Sequence, residues 1–212
     1  MFDKQTMISK KDALVGRDAP ILTKGTHFVN HTDLTAPPAN GCQQILLGLG
    51  CFWGAERLFW NTPGVASTSV GYSGGYTQNP TYEEVCSGQT GHTEVVRVIF
   101  DPEQISLKQI LTLFWEKHDP TQGMQQGNDK GTQYRSAIYT FDQQQHTVAV
   151  ASKADYQALL APSVTDSITT EIAAATTYFL AEEYHQQYLA KNPNGYCGLG
   201  GTGICFPPDE NL

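Results

Sequence analysis

The stretch from Glu94 to Phe100 constrains this chain most. In an extended backbone Glu94, Val96, Val98 and Phe100 share one face, and Val95, Arg97 and Ile99 the other. Asp101-Pro102 then turns the chain, so this is the clearest strand. Upstream, Gln44-Ile45-Leu46-Leu47-Gly48-Leu49 is a short apolar run that reads as a buried strand. A helix over about 52–60 follows and stops before Pro63-Gly64. Residues 65–70 are β-branched and Ser/Thr-rich, a second strand, and 71–76 form a Gly-rich loop.

Two capping boxes mark further helices: Thr81 with Glu84 opens a short one, and Ser106 with Gln109 opens one reaching about 118. A polar loop is expected over 119–133 and a fourth strand over 136–140. The order β-α-β-β-α-β is the split βαβ pattern of ferredoxin-like folds, so the expected class is mixed α+β. A helix over about 142–160, a strand over about 168–172 and a short helical segment over about 182–189 extend it. The stretch 195–208 holds five glycines and two prolines and reads as a mobile arm without helix or strand. Residues 1–41 show no sustained periodicity and read as an extension that wraps or trails. Residues 42–212 read as one catalytic domain, with the arm over about 193–212.

The 212 residues suit one domain. A hydrophobic fraction of 40% argues against disorder. With 13 basic residues, no Lys/Arg cluster and a net charge of -8, neither nucleic acid nor an anionic membrane is an expected partner. No apolar stretch approaches the ~20 residues of a transmembrane helix. Met1-Phe2-Asp3-Lys4 does not resemble the start of a signal peptide. A cytoplasmic protein with reduced thiols is therefore expected. It carries Cys42, Cys51, Cys86, Cys197 and Cys205, an odd and widely spaced set that does not suggest a static disulfide framework.

Cys51 sits between the first strand and the first helix. Unpaired N–H groups and the helix dipole there are expected to stabilise a thiolate and lower the thiol's pKa. Gly50 permits a sharp turn and Gly54 a close approach. A packed core cysteine is the competing reading. Phe52 and Trp53 line an apolar pocket on the first reading and belong to the core on the second.

The run Gly50-Cys51-Phe52-Trp53-Gly54 resembles the active-site signature of the peptide methionine sulfoxide reductase A family. Further matches follow in order: Gly71-Tyr72-Ser73-Gly74-Gly75, Pro80-Thr81-Tyr82, Gly91-His92-Thr93-Glu94, Gly127-Asn128-Asp129, Gly131-Thr132-Gln133-Tyr134-Arg135-Ser136, Tyr184-His185-Gln186-Gln187-Tyr188 and Gly195-Tyr196-Cys197-Gly198. The resemblance spans about 44–205. It implies a mixed α/β fold and reduction of the S epimer of methionine sulfoxide, free or in proteins. It also implies no bound cofactor, and thioredoxin as the final reductant.

Carried onto this chain, the resemblance makes Cys51 the nucleophile that ends as a sulfenic acid. Glu94 becomes the general acid, protonated because buried; taken alone it would be an exposed strand-end charge. Tyr82 and Tyr134 hold the sulfoxide oxygen, Phe52 and Trp53 the methyl group, and Asp129 and Tyr196 support the site. Cys197 resolves the sulfenic acid and Cys205 then attacks Cys197. Cys42 and Cys86 fall outside this relay.

Rival readings are weaker. Cys197 and Cys205 with His185 lack zinc spacing, so no metal is expected. The Gly71–Gly75 loop lacks the phosphate-binding lysine. No Cys-x-x-Cys marks a general disulfide exchanger. No dimerisation signal is visible, so a monomer is expected.

Overall fold

The computed structural model describes residues 3–207. The last residues of the expected arm, 208–212, and the first two of the extension lie outside it. The elements are β1 (Gln43–Leu49), α1 (Phe52–Trp60), β2 (Val65–Ser73), α2 (Tyr82–Cys86), β3 (Thr93–Phe100), α3 (Leu107–Lys117), β4 (Gln125–Gln126), β5 (Asp129–Lys130), β6 (Ser136–Thr140), α4 (Gln143–Leu160), β7 (Glu171–Ala174), β8 (Phe179–Leu180) and α5 (Tyr188–Lys191). The main sheet runs β7-β6-β1-β3-β2-β8. Its middle four strands, β6-β1-β3-β2, pair antiparallel throughout, which is the ferredoxin-like arrangement in an α+β fold. β7 adds in parallel to β6 and β8 antiparallel to β2.

The core lies between the sheet and its helices. Val96, Val98 and Phe100 of β3 join it with Phe52, Phe59, Phe114 and Trp115, while Val95 faces a smaller cluster with Leu46 and Tyr139. Both capping boxes form: Thr81 Oγ1 accepts from Glu84 N–H and Ser106 Oγ from Gln109 N–H.

Several expected boundaries move. The strand expected over 168–172 begins at Glu171. Ile168 N–H is taken by Gln157 Oε1 and Thr169 N–H by Pro120 O, so pairing with β6 starts only at Glu171 opposite Ala137. The helix expected over 182–189 is a series of turns followed by α5, because Gln187 adopts a left-handed conformation (φ 46°) that helical geometry excludes. The expected loop 119–133 holds the β4–β5 hairpin and a 3-10 turn, Thr132–Tyr134. Gly71 and Tyr72, expected in a loop, are inside β2.

Residues 3–41 form turns and two isolated bridges, Gly16 with Gln78 and Thr26 with Asp33. They lie against the domain. Thr132 N–H donates to Lys4 O, Arg17 pairs with Glu84 at 2.7 Å, and His27 is buried beside Thr68. At the other end, residues 195–207 carry no helix or strand, and Leu199, Ile204 and Phe206 pack on the core. Tyr156 Oη donates to Ile204 O at 2.9 Å, and Phe206 N–H to Glu116 Oε1 at 2.8 Å.

Candidate active site

The site starts at the β1–α1 junction. Gly50 turns the chain at φ +86°, and a Cβ there would stand 2.6 Å from Gln126 Cβ and Cγ. Only glycine combines that conformation with that approach. Cys51 is the N-cap of α1 and is mostly buried. On β3, Glu94 is 1% exposed, and its Oε2 accepts the Phe52 N–H at 3.1 Å. The exposed strand-end reading of Glu94 is thus excluded. Burial pushes its carboxyl up to about 8, opposed by the Phe52 hydrogen bond and helped by Asp129. At neutral pH Glu94 keeps its proton.

The Cys51 thiol corrects the expectation of a lowered pKa. Burial first, and then the field of Glu94, drive it far above the usual thiol range; the Trp53 N–H acts in the opposite sense. The stabilising amide of the helix N-terminus is present but is outweighed by desolvation.

Tyr82, first residue of α2, and Tyr134, last of the 3-10 turn, both lie within the field of that carboxyl. Burial and then Glu94 raise both phenols, so both remain O–H donors. Arg135 anchors the Tyr134 turn, donating to Thr132 O at 2.9 Å and Gly91 O at 3.1 Å and pairing with Glu171 at 2.9 Å. Asp129 accepts from Tyr196 Oη at 3.2 Å, and burial raises its carboxyl.

Phe52 is fully buried, 6.0 Å from the Tyr72 ring. Trp53 is half-buried; its indole stacks on Tyr188 at 3.9 Å and donates from Nε1 to His185 Nδ1 at 3.0 Å. His185 touches the rings of Phe52, Trp53, Tyr82 and Tyr184. Burial lowers its pKa to about 4, so the ring is neutral at pH 7.

Cys197 lies over the first turn of α1, its Sγ 2.9 Å from where a Cβ on Gly54 would stand, and it adds to the field at Cys51. All five cysteines are free thiols, and Cys205 is exposed, in the part of the arm lying on α3 and α4. Cys51, Phe52, Trp53, Tyr82, Glu94, Asp129, Tyr134, Tyr196 and Cys197 therefore gather in one place; Cys205 is set apart on the arm. Among the described residues no group of three or more His, Cys, Asp or Glu side chains could hold a metal, and no helix is long and apolar enough to cross a membrane.

Two neighbours were given no role from the sequence. His185 stood inside a matched motif, but its partners Phe52, Trp53 and Tyr82 lie more than 100 positions away. Cys86 ends α2 with its thiol against the Tyr82 hydroxyl and Gln133, and burial followed by Glu94 pushes it up to about 11.

A partly buried thiol in the field of a buried, protonated carboxyl, flanked by phenols and overlain by a second thiol, is the apparatus of a thiol-based oxidoreductase. The family model described as peptide methionine sulfoxide reductase matches residues 43–202. A peptide methionine sulfoxide reductase MsrA of Vibrio cholerae serotype O1 (strain ATCC 39315) is 68% identical over 212 residues, covering 100% of both chains. Methionine sulfoxide reductase A of Corynebacterium diphtheriae superposes with a TM-score of 0.85 at 48% identity, over 91% of this chain and 93% of that one. Mxr1 from Saccharomyces cerevisiae in reduced form superposes at 0.70 and 35% identity, over 77% and 93%. A second Mxr1 structure, in complex with Trx2, matches at 0.51 and 21% identity, over 73% and 90%, and bears on the fold alone. The chain belongs to the peptide methionine sulfoxide reductase family and is an oxidoreductase.

Proposed function

We propose that this protein reduces the S epimer of methionine sulfoxide, free or in oxidised proteins, by a three-thiol relay regenerated by thioredoxin. The observation that carries the reading is the Cys51–Glu94 pair: a thiol at a helix start facing a carboxyl that burial keeps protonated to about pH 8. A sulfoxide oxygen is a strong acceptor and its sulfur a weak electrophile, so reduction needs an acid at oxygen and a nucleophile at sulfur.

Glu94 gives its proton to the sulfoxide oxygen while Tyr82 and Tyr134 hold that oxygen by their O–H groups. Cys51 gives its proton to the Glu94 carboxylate and bonds to the substrate sulfur; the protonated oxygen then leaves that sulfur for Cys51 as hydroxyl while the bond between the two sulfurs breaks, its electron pair staying on the methionine sulfur. The products are methionine and a Cys51 sulfenic acid. Phe52 and Trp53 hold the S-methyl group, and Asp129 and Tyr196 bind the rest of the substrate. The Cys197 thiol attacks the sulfenic sulfur, releasing water and forming a Cys51–Cys197 disulfide. Cys205 displaces Cys51 to give Cys197–Cys205, which a thioredoxin dithiol reduces by exchange. The second exchange requires the arm to move, because Cys205 lies apart from Cys197's seat on α1. Mxr1, a relative, has been seen in complex with Trx2.

No cofactor enters this chemistry. The reading includes a cytoplasmic monomer that binds neither nucleic acid nor membrane, with residues 42–212 as the catalytic domain and 1–41 as an extension. The test offers separate S and R epimers of a blocked methionine sulfoxide with dithiothreitol to the protein and to Cys51→Ser. Methionine from the S epimer alone, lost in the variant, is the expected result; no turnover of either epimer by folded, reduced protein would overturn the reading.

A further inference from the structure

Glu56 is a fully buried carboxyl that the chemistry above leaves unused. It lies on α1, one turn after Phe52. Three donors converge on it: Gln187 Nε2 at 2.6 Å and Thr68 Oγ1 at 3.2 Å on Oε1, and the Gln187 backbone N–H at 2.7 Å on Oε2. Burial raises its pKa to about 7, and the hydrogen bonds from Gln187 and Thr68 act against that rise.

Gln187 is the residue at φ 46°, a conformation costly for a side chain with a Cβ. Such a residue persists only where its surroundings hold it. Here the hold is Glu56, which receives both its backbone N–H and its side-chain amide. The Gln187 Oε1 in turn accepts the Phe28 N–H at 2.9 Å, which fixes the amide orientation. The left-handed turn at Gln187 lies between His185 and Tyr188. Those two side chains hold Trp53, one by accepting its indole N–H and one by stacking.

We propose that Glu56 is a positioning residue for substrate binding: by clasping Gln187 in its left-handed turn, it sets His185 and Tyr188 against Trp53. The proposal rests on Trp53 being a wall of the substrate pocket, as read above. Glu56 itself touches neither Cys51 nor the oxygen-binding phenols, and reaches Tyr82 only through His185, so its removal acts on binding before it acts on rate.

Glutamine in its place keeps the shape but cannot accept at both oxygens. An amide nitrogen at Oε2 meets the Gln187 N–H; at Oε1 it meets Gln187 Nε2, which cannot turn away without losing the Phe28 bond. One donor is orphaned in either orientation.

The test measures the rate at which the first methionine per enzyme forms, without reductant and before the relay frees Cys51 for a second, against the concentration of the blocked S sulfoxide. This separates half-saturation from the limiting rate. Glu56→Gln should raise the half-saturation concentration about tenfold, on the order expected for one orphaned buried donor, with the limiting rate changed about twofold or less. Tryptophan emission should shift as the Trp53–Tyr188 stack loosens. Gln187→Asn tolerates the left-handed turn but has a shorter amide, and should raise half-saturation about threefold. It decides the matter if Glu56→Gln does not fold. A folded variant with unchanged half-saturation, or one in which only the limiting rate falls, overturns the positioning role. Failure of the wild-type protein to make methionine is a different outcome, which removes the reductase reading and this inference with it.

Discussion

Replacing Glu94 by Gln separates the acid from the space it fills. Glu94 is 1% exposed, and burial moves its carboxyl from the ordinary 4.5 to about 8. At about 1.4 kcal/mol per tenfold change in proton affinity, a charged Glu94 costs about 5 kcal/mol of stability above pH 8. The folded state keeps the proton where the unfolded chain has lost it. Stability contributed by the neutral acid is therefore full below pH 4.5, falls as pH rises, and levels off above about 8. An amide at this position can still accept the Phe52 N–H through its carbonyl, and it carries no proton to lose. Urea melts of both proteins at pH 5 and pH 8.5 should show the variant gaining on the wild type by several kcal/mol at the higher pH, with about 5 kcal/mol as the ceiling. Glu56, raised to about 7, titrates in both proteins and cancels in the difference. Activity should move the other way: loss of a positioned acid lowers turnover by roughly 10²–10⁴-fold. A stability difference that is the same at both pH values would refute the buried-acid argument. Turnover within a few-fold of wild type would refute the assignment of Glu94 as proton donor.

Cys197→Ser should still release one methionine per enzyme and then stop under thioredoxin, with a sulfenic acid on Cys51 that dimedone traps; mass spectrometry of the trapped species checks it. Gly54→Ala places a Cβ 2.9 Å from Cys197 Sγ and 3.3 Å from Leu199 Cβ. The first methionine should form as before while disulfide formation, followed by free-thiol counts, slows about tenfold or more. Gly74→Ala combines φ +76° with a Cβ driven into the Tyr139 hydroxyl, which bridges Arg135 and Glu171. It should destabilise the fold by about 3 kcal/mol or more, read from the urea midpoint.

What could be read from the sequence was what neighbours in the chain decide. The two capping boxes, Thr81 with Glu84 and Ser106 with Gln109, each lie within one turn, and both form. The face alternation of β3 also holds, because pleating depends only on the backbone. What could not be read was set by partners far away. The start of β7 depends on Pro120 and Gln157 removing two donors from the ladder. The end of the expected helix before α5 depends on Glu56, 131 positions from Gln187.

The thiol shows the same division within one residue. The local argument placed Cys51 at a helix start and expected a stabilised thiolate; the Trp53 N–H that would supply it is there, acting in that direction. The burial that overrides it comes from the surrounding fold, which also raises Glu94. One desolvated space therefore keeps a proton on both partners at neutral pH. A site built to hold a resting thiolate would favour attack on any electrophile that reached it. A site that keeps both groups protonated makes the nucleophile only as an acceptor takes the acid's proton, and a sulfoxide oxygen is such an acceptor. On the proposed mechanism, selectivity for sulfoxides over other electrophiles would follow from the burial of Glu94 as much as from the shape of the aromatic wall.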